Sequence, residues 1–133
     1  MNEKTKQPNP RIIVIQKLYS HYLNKDSEIT FPKHRYKKFI KDVVKGTIER
    51  KDLIQNLIND KLKENINDNK TEIVIKVMIM AAIYEFMFMH KTPIKVVITE
   101  YLKVSDSFVD ENKKSFLNAI LDKASKVSRN LNE

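Results

Sequence analysis

From Phe108 to Phe116 the chain reads FVDENKKSF, which places two aromatic rings, the side-chain amide of Asn112 and the adjacent ammonium groups of Lys113 and Lys114 within one short stretch. These residue types suit the holding of a single-stranded nucleic acid. A base stacked on an aromatic face is worth about 1–3 kcal/mol, lysines hold the sugar-phosphate backbone, and an Asn amide addresses base edges. The same two rings could instead be core residues pinning a pair of helices, a reading the residues alone favour for Phe116 and leave open for Phe108. A second basic segment lies upstream. Lys33, Arg35, Lys37, Lys38 and Lys41 put five cations into nine residues with no acid among them, and Lys33, Lys37 and Lys41 share one strip of a helix. Such a strip serves equally well as a solvated flank or as a phosphate contact.

Catalytic chemistry finds little support. His21, His34 and His90 lie in three separate segments without metal-ligand spacing, so no metal site is expected. The chain has no cysteine, which excludes disulfides, thiolate metal sites and a cysteine nucleophile. Its single glycine cannot build a phosphate-cradling loop, and no nucleophile elbow is present. Asp110 and Glu111 are better placed to start a helix than to act as an acid-base couple. The expectation is a non-enzymatic protein without a cofactor.

The elements that position these groups follow from composition and periodicity. A length of 133 residues, with 41% hydrophobic and 32% charged, fits one compact domain with a buried core. Scarce glycine and proline, with abundant Lys, Glu, Ile and Leu, predict an all-α fold. The formal charge of +8 is concentrated in residues 1–70, which carry a net +7 against +1 for the remainder. A polyanion is a natural partner for such a surface. The N-terminus has no apolar signal segment, and the apolar run Ile73–Met89 is interrupted by Lys76 and Glu85, so a cytoplasmic protein with no membrane contact is expected.

Along the chain, residues 1–10 read as a flexible tail and 11–133 as the domain. Ile12, Ile15, Leu18, Tyr19 and Tyr22 recur at helical spacing and predict a helix over 11–23. Pro32 precedes a stripe of Tyr36, Ile40, Val43, Val44 and Thr47 that continues through Ile54, Leu57 and Leu62, as one long helix or two with a break near Gly46. A close crossing with another helix would explain that glycine. Residues 65–70 form a turn suited to capping a central helix over 71–90, which is apolar on nearly every face and has Met78, Met80, Met87 and Met89 as core filler. A helix over 93–107 follows, and a last one starts near Asp110 or Glu111 and buries Phe116, Leu117, Ile120, Leu121, Ala124 and Val127. Five to seven helices result, and two subdomains joined near residue 68 fit the pattern.

Taken in order, these segments resemble the NusB family of transcription antitermination factors. Gln16-Lys17-Leu18-Tyr19 is similar to that family's Gln-Ala-Leu-Tyr, and Val43-Val44-Lys45-Gly46 to its Leu-Leu-x-Gly. Ala82-Ile83-Tyr84-Glu85-Phe86 resembles Ala-x-Tyr-Glu-Leu, and Pro93 through Glu100 resembles Pro-Tyr-Lys-Val-Ala-Ile-Asn-Glu. Ser107-Phe108 and Phe116 through Lys123 are similar to Ser-Phe and Phe-Val-Asn-Gly-Val-Leu-Asp-Lys.

The resemblance implies about seven helices in two small bundles, no catalytic activity and no cofactor. It also implies binding of boxA-like RNA in ribosomal RNA leader transcripts together with the NusE ribosomal protein, within an antitermination complex of RNA polymerase. On that analogy Arg11 and Lys113 or Lys114 contact phosphate, Phe108 and Phe116 line the base-binding surface, and Asn112 faces the RNA. Tyr19 and Glu85 lie nearer the protein partner. The chain departs from the family where Gln7, Pro8 and Asn9 replace an arginine cluster, and where Ile79-Met80-Ala81-Ala82 replaces Leu-Arg-Ile-Ala. Thr99 and Ala119 stand for the usual Asn and Gly. The alternative is a helical protein-binding adaptor or homodimer without specific RNA recognition.

Overall fold

The run Ile73–Phe88 forms a helix whose buried residues, among them Ile75, Met78, Ile79, Ala82, Ile83 and Phe86, face every direction around its axis. A helix apolar all round must be enclosed. In the computed structural model, which describes residues 7–66 and 71–129, it is the central element, α4. Before it come α1 (Pro10–Leu23), α2 (Lys37–Glu49) and α3 (Lys51–Lys61), and after it α5 (Ile94–Ser105) and α6 (Lys114–Ser128). A 3-10 turn, Glu111–Lys113, leads into α6. These six α-helices, with no strand among the described residues, make the fold all-α, and α4 packs against each of the other five.

Each flanking helix offers one apolar stripe to that centre: Val14, Ile15 and Leu18 from α1, Ile40, Val43 and Val44 from α2, Ile54, Leu57 and Ile58 from α3, Val97, Tyr101 and Val104 from α5, and Leu117, Ile120, Leu121 and Ala124 from α6. Met78 and Met87 are buried, and Met80 and Met89 pack half-buried against the core, so all four methionines fill space. Arg129, just past α6, donates from Nε to the Phe86 carbonyl at 2.8 Å and from Nη1 to the Thr92 carbonyl at 3.0 Å. These bonds satisfy one carbonyl in the last turn of α4 and one in the α4–α5 connection, and fasten the end of α6 to both.

Several boundaries differ from those the sequence suggests. The helix after Pro32 does break in two, but at Arg50 rather than at Gly46, which remains helical and buried. The glycine has the expected reason: a Cβ there would run into the ring and hydroxyl of Tyr84, so α2 and α4 cross with that side chain over the glycine. On α1 the buried face runs through Arg11, Val14, Ile15 and Leu18, leaving Tyr19 and Tyr22 exposed, so the stripe is turned from the one counted through Ile12 and Tyr19. Tyr36 is also outside the stripe assigned to it, 51% exposed. Residues 67–70 of the expected capping turn, and residues 1–6 of the expected tail, lie outside the described residues. Residues 7–10 are laid against the segment before α2: the Arg35 N–H donates to Gln7 Oε1 at 2.9 Å, and His34 Nε2 donates to the Pro8 carbonyl at 2.8 Å.

Candidate nucleic-acid interface

Helix α5 ends in a tight wrap. The N–H groups of Phe108 and Val109 donate to the Ser105 carbonyl at 3.0 and 2.9 Å, and Ser107 donates to Val104. These bonds close the last turn and tuck Phe108 half-buried against the core. The chain then turns through Asp110, whose carbonyl accepts from the Lys113 N–H at 2.9 Å, and enters α6 at Lys114. Asn112 is exposed on the turn, and Phe116, in the first turn of α6, is 38% exposed. Phe116, which the pattern favours for the core, is therefore a surface ring, and Phe108, which the pattern leaves open, packs half-buried against the core.

Both lysines are held by acids on neighbouring elements. Lys113 Nζ lies 3.0 Å from Glu72 Oε1 at the start of α4, and Lys114 Nζ lies 2.8 Å from Asp106 Oδ1 at the end of α5. The hydrogen bond to Asp106, reinforced by its charge, raises the Lys114 ammonium above its ordinary pKa. Exposed pairs of this kind contribute little to stability and give way to a competing anion. The loop thus presents one exposed ring, one half-buried ring, one amide and two ammonium groups on a frame fixed by backbone hydrogen bonds.

Arg11 belongs to a different environment. It is 8% exposed, donates from Nη2 to Glu85 Oε1 at 2.6 Å and from Nε to Glu85 Oε2 at 3.0 Å, and lies over the rings of Phe39 at 4.8 Å and Tyr101 at 5.5 Å. Tyr101 Oη donates to Glu85 Oε2 as well, so one fully buried carboxylate takes three donors. Burial pulls the guanidinium down, but the hydrogen bond and charge of Glu85 outweigh it and leave Arg11 above its ordinary value. Burial first, then the Glu85 charge, pushes the Tyr101 phenol well above its own. The cluster ties α1, α2, α4 and α5 together from inside. At the two positions where the resemblance implies a phosphate contact and a partner contact, Arg11 is engaged with Glu85, and Glu85 is enclosed.

The sequence model of the NusB family matches residues 8–126. The chain belongs to the NusB family. The transcription antitermination protein NusB of Bradyrhizobium diazoefficiens is 29% identical over 91 residues, which cover 68% of this chain and 55% of that protein. The one of Rickettsia bellii is 25% identical over 92% of this chain and 91% of its own length. A solved structure of Thermotoga maritima NusB superposes with a TM-score of 0.73 at 24% identity, over 92% of this chain and 93% of that one, so the fold is shared.

In this NusB-family chain Tyr19 is 38% exposed on α1, whereas Glu85 is enclosed. The basic segment before α2 is partly self-paired: Lys38 Nζ lies 2.8 Å from Asp42 Oδ2, and Lys41 sits 6.0 Å from the Phe31 ring. Beside it is a feature that periodicity missed, the exposed Tyr36 ring with the Arg35 guanidinium 5.7 Å from its centre. Its signal was the Arg-Tyr dipeptide inside a run of cations, read as stripe because Ile40 follows four residues later. Among the described residues no group of three or more His, Cys, Asp or Glu could hold a metal ion, and no helix is long and apolar enough to cross a membrane.

Proposed function

We propose that this protein is a transcription antitermination factor that binds boxA-like single-stranded RNA in ribosomal RNA leader transcripts. It acts together with the NusE ribosomal protein to promote read-through by RNA polymerase. The observation that carries this reading is the match of the NusB family over nearly all of the chain, residues 8–126. The α5–α6 loop supports it in chemistry. Phe116 offers a face for a base, Phe108 lies half-buried at the end of α5, Asn112 is exposed to read an edge, and Lys113 and Lys114 exchange Glu72 and Asp106 for phosphate oxygens. Arg11 and Glu85 support the surface indirectly by fixing α1 against α4 and α5, and the exposed Tyr19 offers the proposed partner contact.

The test is a salt-dependent titration of boxA-like and scrambled RNA with the protein, alone and with the ribosomal partner. Tighter binding of boxA-like RNA, strengthened by the partner, is the expected result. Lys113→Glu should lower affinity and reduce the slope of log affinity against log salt by about 0.7, the value for one phosphate contact on a single strand. Equal binding of both RNAs in all conditions, or no binding, would leave a helical adaptor or homodimer as the better description.

A further inference from the structure

Away from the α5–α6 loop, the C-terminal half of α1, the α2–α3 junction and the first half of α4 enclose a cavity of about 280 Å³, near the lower end of the size range of small-molecule sites. Its inner wall is apolar, with Leu18, Val77 and Met80, and among the described residues no carboxylate lines it. Thr47, also in the wall, is only 3% exposed, yet its hydroxyl has no hydrogen-bond partner among the described residues, and neither does His21 Nδ1 beside it. Buried polar atoms are normally satisfied, and each that is not bears a desolvation cost. At the rim, Lys25 and Lys51 approach each other closely enough that Lys51 is held below its ordinary value, first by Lys25 within hydrogen-bonding reach and then by burial. Two like charges brought together at the mouth of a cavity, with no acid among its described lining residues, fit an anion placed between them. Tyr22, 43% exposed, adds an aromatic face at the same rim.

We propose that this cavity binds a small phosphate monoester with a flat, largely apolar body of about mononucleotide size, its phosphate between Lys25 and Lys51 and its body against Tyr22 and Met80. The Thr47 hydroxyl and His21 Nδ1 then meet polar atoms on the inner edge of that body. An apolar wall carrying a few convergent polar groups suits such a ligand better than a bare anion, which would use only the rim. No lining residue belongs to the RNA-binding loop, so the inference stands whether or not the loop binds RNA.

The test is NMR of the full chain titrated separately with adenosine monophosphate, adenosine and inorganic phosphate. Adenosine monophosphate should shift the Thr47 and Met80 methyl signals saturably and bind at least tenfold more tightly than either fragment. Lys25→Glu with Lys51→Glu, both on exposed side chains, should weaken it at least tenfold with the unfolding midpoint unchanged. Thr47→Val, which keeps the shape and removes the hydroxyl, should weaken it several-fold. Absence of shifts at Thr47 and Met80, shifts unaltered by the paired charge reversal, or equal affinity for inorganic phosphate would each overturn the proposal.

Discussion

At the start of α1 and at the α5–α6 loop the chain assembles the same ingredients, cations beside aromatic rings and carboxylates, and the two clusters behave as opposites. Arg11 is sealed between Phe39 and Tyr101 and bonded twice to a carboxylate with no exposure, whereas Lys113 and Lys114 meet Glu72 and Asp106 in the open beside Phe116. Inside, a charge without its partner is strongly destabilising, so the arginine is committed to the fold. In water the pairs exchange readily with other anions, so the lysines are available to a ligand. Residue type does not separate the two clusters. The face of the helix on which each residue falls does.

The largest effect expected from breaking this contrast is on stability. Glu85→Ala leaves Arg11 buried without its partner and should cost about 3–5 kcal/mol in denaturant unfolding. Replacing both, Arg11→Met with Glu85→Leu, should recover much of that loss. A Glu85→Ala protein as stable as the parent would mean that the inner cluster is not a strut. Next comes the loop: Phe116→Ala should weaken boxA-like RNA by about 5- to 150-fold, the equivalent of 1–3 kcal/mol of stacking, with little change in the unfolding midpoint. Loss of stability equal to the loss of binding would make that ring a core residue after all.

A smaller effect tests the packing that holds both regions in place. Gly46→Ala brings a methyl into the Tyr84 ring and should destabilise. In a Tyr84→Ala background the same substitution should instead stabilise, toward the helix-propensity gain of about 1 kcal/mol. A gain in both backgrounds would show that the crossing tolerates a side chain. The smallest effect is confined to alkaline pH. The buried Tyr101 phenol is raised well above 10.0, so the stability it contributes is complete below the unfolded value and is lost as pH climbs through the folded one. Tyr101→Phe should therefore show a shallower decline in unfolding free energy above pH 10 than the parent, and parallel declines would remove Tyr101 from that titration.

Much of the fold is written in the order of apolar positions, because a helix buried on every face, such as α4, leaves a continuous run that nothing else explains. The break between α2 and α3 is less visible. Gly46 looks like the weak point, yet it stays helical because the missing Cβ makes room for Tyr84, while the chain changes direction at Arg50. The loop residues were legible because Phe108 to Phe116 are contiguous. The inner cluster was not, since Arg11 and Glu85 are 74 residues apart and only the packing of α1 on α4 joins them. One clue was present: 11, 14, 15 and 18 form an i, i+3, i+4, i+7 face, which places Arg11 on the buried side, and Glu85 lies alone within an apolar helix that demands a partner for it.

Site-resolved cross-linking of boxA-like RNA carrying 4-thiouridine, mapped by mass spectrometry on the unmodified protein, separates the two regions most directly. Cross-links at residues 108–116, with none at Arg11 or Glu85, are the predicted result. Cross-links confined to Arg35, Tyr36 and the start of α2, with the α5–α6 loop untouched, would contradict it.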